Sequence, residues 1–160
     1  MNYSDLQELL SPLGRILLSA LLGGLLGFER DIHGRGAGLR THLLVSMGAC
    51  VFMILSTHVE SFGVAVAATG FSRVTDPARI AAQVATGIGF LGAGVIIKEG
   101  LSIRGLTTAA CLWVAAAIGM ASGVGFFVIA VITTAIGLFP VIEQLEKSDI
   151  PLRALKWLKP

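Results

Sequence analysis

The stretch ATGIGFLGAGVII, residues 85–97, decides which kind of fold this chain can adopt. Gly87, Gly89 and Gly92 have the G-x-G-x-x-G spacing of a dinucleotide-binding loop, which follows a strand, opens a helix and has an acidic residue about 20 positions later. Here the glycines lie in the middle of an uncharged apolar run from Ile80 to Ile97. A run of about 18 apolar residues is a candidate membrane-spanning helix. The spacing therefore does not indicate a nucleotide site.

The composition of the whole chain also indicates a membrane protein. Hydrophobic residues make up 54% of the 160 residues and charged residues only 14%, against roughly 25% charged residues in ordinary soluble domains. A soluble chain of this size exposes too much of its area to hide so much apolar surface. We therefore predict an all-α integral membrane protein, with residues 1–160 forming a single transmembrane domain. Cys50 and Cys111 lie in apolar stretches and indicate buried thiols rather than a disulfide or zinc framework.

Five transmembrane helices are predicted from the apolar runs, at about residues 9–28, 41–59, 80–97, 106–120 and 126–142. Ser11 and Pro12 are suited to cap and begin the first helix. Arg15 either reaches the near headgroups or faces the bundle interior. The uncharged run of residues 105–142 would be about 57 Å long as one helix, which is nearly twice the hydrocarbon thickness. It must therefore contain two spans, with the turn expected at Ala121 to Gly125.

The third span is introduced by the sequence DPAR, in which Asp76 is suited to cap the helix and Arg79 lies in its first turn. Lysine and arginine are more frequent in the connections that would be cytoplasmic if the N-terminus is outside. We therefore predict an outside N-terminus and a cytoplasmic C-terminus. The C-terminal tail DIPLRALKWLKP is predicted to form a short amphipathic helix on the inner leaflet.

Small residues recur at helical spacing on two of the predicted spans. Such stripes let membrane helices approach closely, so helix packing and homo-oligomer formation are the leading interpretation. A locally unwound helix that lines a cavity between Gly87 and Gly94 is the alternative. The proposed packing residues are Gly23, Gly27, Ala85, Gly87, Gly89, Gly92, Ala93 and Gly94.

Two similar sequences open the second and fourth spans on the predicted cytoplasmic side, GLRTH at residues 38–42 and RGLTT at residues 104–108. Helix N-termini with nearby arginines and threonines attract negative charge. The negative group at these N-termini has three possible sources. It is Glu29, paired with Arg40 or Arg104, or an anionic lipid or partner protein, or a small anion. The candidate residues of this inner-face site are Glu29, Arg30, Arg40, Thr41, Arg104, Thr107 and Thr108.

No pattern in the sequence indicates catalysis, a metal site, a cofactor or nucleic-acid binding. A Mg²⁺ site needs oxygen ligands, usually carboxylates, and the only acidic residues near the spans are Glu29 and Glu99 at the inner edge. Gln83 could line a polar path inside the membrane, although it could equally bond between helices. A dedicated magnesium carrier and an enzyme are therefore both disfavoured.

Three segments resemble the MgtC/SapB family of bacterial inner-membrane proteins: GGLLGFERDIHGRGAGLRTHLLVSMGA (residues 23–49), DPARIAAQVATGIGFLGAGVIIKEG (residues 76–100) and RGLTTAACLWVAAAIGMASGVG (residues 104–125). The resemblance implies about five spans, an outside N-terminus and a link to survival at low magnesium and inside host cells. Family members also carry a cytoplasmic C-terminal domain, whereas only about 18 residues follow the last predicted span here. The chain is therefore either a short member or a truncated one.

The sequence and the resemblance together predict a non-enzymatic regulator in the bacterial inner membrane. It would act by binding other membrane proteins during low-magnesium, acid or intracellular stress, in contact with membrane lipid and as a homo-oligomer. The alternative is a small transporter or channel, for an anion rather than Mg²⁺.

Overall fold

The computed structural model describes the backbone of residues 3–62 and 78–138 and the side chains of residues 11–58 and 78–138. Five helices and one hairpin follow one another along the described chain. They are α1 (Tyr3–Ile32), α2 (Leu39–Phe62), α3 (Ala78–Val95), β1 (Ile97–Glu99), β2 (Ser102–Arg104), α4 (Leu106–Val124) and α5 (Phe127–Leu138).

The predicted helical membrane fold is confirmed. Within the described residues, four helices are long and apolar enough to cross a membrane, and a fifth, α5, is shorter. Residues 139–142 of the fifth predicted span lie outside the described residues, as do Asp76 and the amphipathic tail. The four long spans are Ser11–Ile32, Leu39–His58, Ala78–Val95 and Leu106–Val124.

Two helix boundaries differ from the sequence prediction. Helix α1 begins at Tyr3 and contains Pro12, so Ser11 and Pro12 do not start it, although the apolar span does begin there. Helix α4 continues through most of the expected turn and ends at Val124, and the following Gly125 has a left-handed φ of 95°. That conformation suits glycine because a Cβ atom would be strained there. The turn is thus confined to Gly125 and Phe126.

The connection between α3 and α4 is an antiparallel hairpin that was not predicted. Ile97 pairs with Arg104 and Glu99 pairs with Ser102 across a turn at Gly100 and Leu101. Gly105, which follows β2, has a φ of 88°, and a Cβ atom there would overlap the Val95 carbonyl oxygen. The hairpin therefore holds the end of α3 tightly against the start of α4.

Helix α2 lies between α1 and α4, and each neighbour approaches it through a pair of glycines four residues apart. On α1, a Cβ at Gly23 would overlap Ser46, and one at Gly27 would lie 2.7 Å from the Gly38 carbonyl oxygen. On α4, a Cβ at Gly119 would overlap the Ser46 carbonyl oxygen, and one at Gly123 would lie 2.8 Å from the Cys50 carbonyl oxygen. These close approaches are the packing mode of membrane helices with small residues.

A hydrogen-bonded serine pair joins α1 to α2 at the centre of this packing. Ser46 Oγ donates to the Ser19 carbonyl oxygen at 2.9 Å, and the two hydroxyl oxygens are 3.0 Å apart. Both side chains are fully buried. In the absence of water, such bonds add to the close packing of membrane helices. Ser19, Gly23 and Gly27 therefore form one continuous small-residue contact with α2.

Helix α3 lies at the edge of the bundle. Its buried residues are Ala81, Ile88 and Gly92, and the Gly92 Cα faces Ala109 of α4. The remaining small residues of α3 behave differently from those of α1, since a Cβ added at Gly87, Gly89 or Gly94 would meet open space. The α1 and α3 stripes thus have different surroundings, one inside the bundle and the other on its surface.

Candidate functional site

The end of the bundle that contains the hairpin, called the inner end here, gathers the last turn of α1, the α1–α2 connection and the first turns of α2 and α4. Among the seven candidate residues, the structure brings together Arg30 and Thr108. Arg30 Nη2 donates to Thr108 Oγ1 at 3.2 Å, and both side chains are buried. The contact joins α1 to the first turn of α4.

The other five candidates do not join this contact. Glu29 lies 3.0 Å from His33 Nδ1. Within the described residues, the structure records no ion pair between Glu29 and either Arg40 or Arg104. The exposed candidates are Arg40, Thr41, Arg104 and Thr107.

The N-terminus of α2 has a carboxylate partner that the sequence did not suggest. Asp31 Oδ2 accepts a hydrogen bond of 2.8 Å from the Leu39 backbone N–H. Gly38 lies against this carboxylate so closely that a Cβ atom there would overlap it. Asp31 rather than a threonine therefore caps α2, which fits the preference for negative charge at a helix N-terminus.

Helix α4 begins without such a partner. Its N-cap residue is Gly105, and no side chain caps the first turn. Its first backbone bond from this turn runs from the Ala109 N–H to the Gly105 carbonyl oxygen at 2.9 Å. The side chain that reaches this turn is the positive Arg30, next to the positive end of the helix dipole.

Two buried side chains at the inner end keep a nitrogen atom without a hydrogen-bond partner. They are Arg30, at Nε, and the fully buried His42, at Nε2. His42 Nδ1 lies 3.0 Å from the Gly38 carbonyl oxygen, which can only accept, so Nδ1 carries the proton. Nε2 of the neutral ring is then an acceptor, whereas Arg30 Nε is a donor.

Arg15 faces the bundle interior at the opposite end. Arg15 Nη1 donates to the Gly123 carbonyl oxygen at 2.8 Å. This places its positive charge at the C-terminus of α4, where the helix dipole is negative. Of the two interpretations open from the sequence, the structure favours the interior one. Arg79, in the first turn of α3, is exposed.

A lateral groove of about 620 Å³ opens between α2 and α3. Its lining is apolar apart from the side chain of Gln83. Ala49 and Ile88 form its buried floor, and Phe52 and Leu91 are exposed at its walls. The groove faces the side of the bundle, where lipid or another helix would lie.

The described residues contain no group of three or more His, Cys, Asp or Glu side chains that could hold a metal ion.

Several functional contacts were missed from the sequence although a signal for some was present. Arg30 follows Leu22 and Leu26 at four-residue spacing, and both leucines are buried, so helical periodicity places Arg30 on the core face. Gly119 and Gly123 have the same spacing as Gly23 and Gly27. The role of Asp31 had no comparable signal, because it depends on how the α1–α2 connection folds back.

Comparisons with known proteins give a consistent result. The model of the MgtC family matches residues 16–147. A protein of Escherichia coli K12 named "Putative magnesium transporter YhiD" is 49% identical over 113 residues, which cover 71% of this chain and 51% of that protein. "Protein MgtC" of Brucella abortus strain 2308 is 48% identical over 114 residues, covering 71% and 43% of the two chains. "Protein MgtC" of Salmonella typhimurium LT2 is 47% identical over 112 residues, covering 70% and 43%.

The matched segment thus spans about half of these relatives or less. No solved structure matches the chain.

Proposed function

Because this chain belongs to the MgtC family of membrane proteins, we propose that it is a non-enzymatic regulator that binds transmembrane helices of other membrane proteins through α3. The observation that carries the proposal is the small-residue surface that α3 turns away from its own bundle. We call this surface the α3 face, and it consists of Ala85, Gly89 and Ala93, which recur at four-residue spacing and are all exposed.

The α3 face has the properties of an unused helix-packing surface. Glycines that pack within the bundle, such as Gly23 and Gly119, have no room for a Cβ atom, whereas Gly87, Gly89 and Gly94 have open space around theirs. Glycine in a helix interior costs about 0.5–1 kcal/mol relative to alanine. Close approach by a second helix would offset that cost, since it gives backbone contact that a larger residue would prevent.

The lateral groove lies on another side of α3, where Gly87 is one of its lining residues. Its apolar lining suits hydrocarbon groups, whereas Mg²⁺ takes oxygen ligands. For this reason the geometry supports contact with a helix better than it supports magnesium transport. Magnesium transport is the activity given in the name of the Escherichia coli relative.

We place this regulator in the cytoplasmic membrane of a bacterium, in adaptation to low magnesium, acid or intracellular stress. This setting is supported by the similarity to proteins named MgtC. A second copy of the chain is one expected partner, and another membrane protein is the other.

Passage of a small anion is the second candidate function, and the buried cation Arg30 is the observation that favours it. Its test is anion flux into proteoliposomes. Flux that is present with the wild type and absent with Arg30→Gln would favour transport over regulation by contact.

Photo-crosslinking from α3 tests the proposed function directly. A photoreactive residue at Phe90, which is 81% exposed, should capture a partner in native membranes. The same residue at Ile136 of α5, 68% exposed, is the control for general lipid-facing exposure. We expect a discrete adduct from position 90 that Gly89→Leu removes, because the leucine prevents close approach.

The variant Gly14→Leu is the matched control. Gly14 lies on α1 rather than α3, and a Cβ atom added there would also meet open space. It should leave the adduct unchanged. Light scattering in mild detergent then distinguishes a second copy from a different protein. Equal adducts with and without Gly89→Leu would exclude the α3 face as the interface.

A further inference from the structure

Arg30 is a buried cation whose surroundings do not balance its charge. The side chain is 7% exposed, and Nε has no hydrogen-bond partner. Its recorded bond runs to the neutral hydroxyl of Thr108. A buried charge is strongly destabilising unless it is paired and hydrogen-bonded. The position of Arg30 therefore requires a compensating negative group.

The carboxylates beside Arg30 in the sequence have other partners. Glu29 pairs with His33, and Asp31 accepts from the Leu39 N–H. Within the described side chains, the structure records no ion pair that involves Arg30. Arg30 does lie in the last turn of its own helix, where the dipole is favourable. The partial negative charge of the helix end does not provide a hydrogen-bond acceptor for Arg30 Nε.

The start of α4 adds further positive potential at the same place. The backbone N–H groups of a first helical turn lack partners within the helix and carry about half a positive charge together. In α4 no side chain caps them, and Arg30 reaches Thr108 in this turn. Two positive groups therefore converge where proteins usually place a negative one.

Helix α2 provides an internal comparison. It begins at the same end of the bundle, and its Leu39 N–H is bonded to the carboxylate of Asp31. At the start of α4, the side chain that reaches the first turn is the positively charged guanidinium of Arg30. The difference indicates that the negative group for α4 comes from outside the described side chains.

We propose that Arg30 and the first turn of α4 bind an oxyanion of the phosphate class. The planar guanidinium offers parallel N–H donors that match phosphate oxygens, and helix N-termini bind phosphate through backbone N–H groups. Thr108 Oγ1 adds a hydroxyl donor. Gly36 of the α1–α2 connection lies next to it, since a Cβ atom added at Gly36 would be 3.7 Å from that oxygen. The phosphate belongs either to a lipid headgroup of the adjacent leaflet or to a free phosphate ion.

This inference goes beyond the proposed regulatory function and does not depend on it. The oxyanion site is built from α1, α4 and their connection, whereas the proposed partner surface is on α3. A variant at Gly89 should leave oxyanion binding unchanged, and a variant at Thr108 should leave the α3 adduct unchanged.

The test for free phosphate uses the full chain in nanodiscs of phosphatidylcholine, titrated with radiolabelled inorganic phosphate. We expect saturable binding by the wild type. Arg30→Gln should weaken it at least about tenfold, because charged hydrogen bonds are lost. Thr108→Val is the milder variant that keeps the buried charge, and it should weaken binding several-fold.

The controls are exposed residues of the same kind at the same end. Arg40→Gln removes one positive charge from an exposed position, and Thr107→Val removes one hydroxyl from the same turn of α4. Neither should alter phosphate binding. Equal weakening by Arg40→Gln and Arg30→Gln would show general surface attraction and would overturn the proposal.

The test for a lipid source is native mass spectrometry of the protein extracted from bacterial membranes. Anionic phospholipid that remains bound to the wild type and to Arg40→Gln, but not to Arg30→Gln or Thr108→Val, would identify a lipid phosphodiester. Saturable phosphate binding without a retained lipid would identify the free ion. If neither ligand depends on Arg30 and Thr108, the proposal is wrong.

Discussion

At the scale of single residues, glycines of similar appearance have opposite roles in this protein. Gly119 lies against the backbone of α2, so that a Cβ atom would overlap the Ser46 carbonyl oxygen. Gly14 lies in α1 with open space around it. The distinction depends on the neighbouring helix and not on the local sequence.

Replacement of these two glycines by alanine should therefore have opposite effects on stability. Gly119→Ala should destabilise the fold by about 1–3 kcal/mol, because the added methyl group forces α4 away from α2. Gly14→Ala should be neutral or stabilising by up to about 1 kcal/mol, as alanine favours a helix. Thermal unfolding followed by size-exclusion chromatography in detergent measures both. A Gly119→Ala protein as stable as the wild type would contradict the close contact between α2 and α4.

The sequence could predict part of the residue-level detail of the candidate site. The four-residue spacing of Leu22, Leu26 and Arg30 places them on one face of α1. Leu21, Leu25 and Glu29 have the same spacing, so the sequence alone could not show which face is buried. Which threonine Arg30 would meet could not be predicted, because Thr107 and Thr108 are adjacent and the rotation of α4 decides between them. The sequence interpretation named Arg40 and Arg104 as partners of Glu29 and gave Arg30 only as one of the candidates, although the bundle leaves Arg40 and Arg104 exposed.

At the scale of elements, the ends of α4 receive arginines in opposite electrostatic settings. Arg15 donates to the Gly123 carbonyl oxygen at the negative end, and Arg30 reaches Thr108 at the positive end. Both guanidinium groups keep Nε without a hydrogen-bond partner. The helix dipole favours the charge of Arg15 and opposes that of Arg30, and an anion is therefore proposed only beside Arg30. The same helix thus has a stable structural contact at one end and the proposed binding site at the other.

Removal of Arg15 should consequently weaken the fold without affecting oxyanion binding. Arg15→Leu should cost about 1–3 kcal/mol of unfolding free energy, since a charged hydrogen bond to a buried carbonyl is lost. Arg79→Leu, which removes an exposed arginine, should change stability by less than about 0.5 kcal/mol. The same thermal assay compares them. Similar losses for the two variants would mean that the contact between Arg15 and Gly123 contributes little.

The positions of the spans were predictable because charged residues interrupt long apolar runs. The hairpin was not predicted, because Ile97 to Arg104 shows no consistent alternation of apolar and polar residues that would indicate strands. The glycine pair of α4 was also overlooked, since its spacing was applied only to α1 and α3. These omissions concern connections and contacts rather than the number of helices.

At the scale of the whole molecule, α2 is central and α3 is peripheral. All long helices here are apolar, so hydropathy alone could not rank them by burial. The ranking follows from contacts that only the folded arrangement shows. The glycine pairs of α1 and α4 both pack closely against α2, and Gly23 and Gly119 both contact Ser46. Among the four long spans, α3 has the smallest buried share, 17%, and therefore the most surface available to a partner for its length.

The predicted orientation in the membrane can be tested on exposed positions at the two ends. In a background with Cys50→Ala and Cys111→Ala, Leu101→Cys at the hairpin tip should react with an impermeant maleimide only after the membrane is opened. Arg79→Cys at the other end should react in intact spheroplasts. The expectation follows from the excess of arginine and lysine on the hairpin side. The reverse pattern of labelling would place the N-terminus in the cytoplasm.

The central place of α2 also has a consequence for biogenesis. Helices leave the ribosome in chain order, so α1 and α2 can associate through Ser19 and Ser46 as soon as both are inserted. The part of α2 that later receives Gly119 and Gly123, from Ser46 to Met53, must wait in lipid while α3 and the hairpin are synthesised. Nascent chains arrested before α4 should therefore expose a groove along α2 that the membrane insertase, or a neighbouring newly made chain, has to shield until the fourth helix arrives.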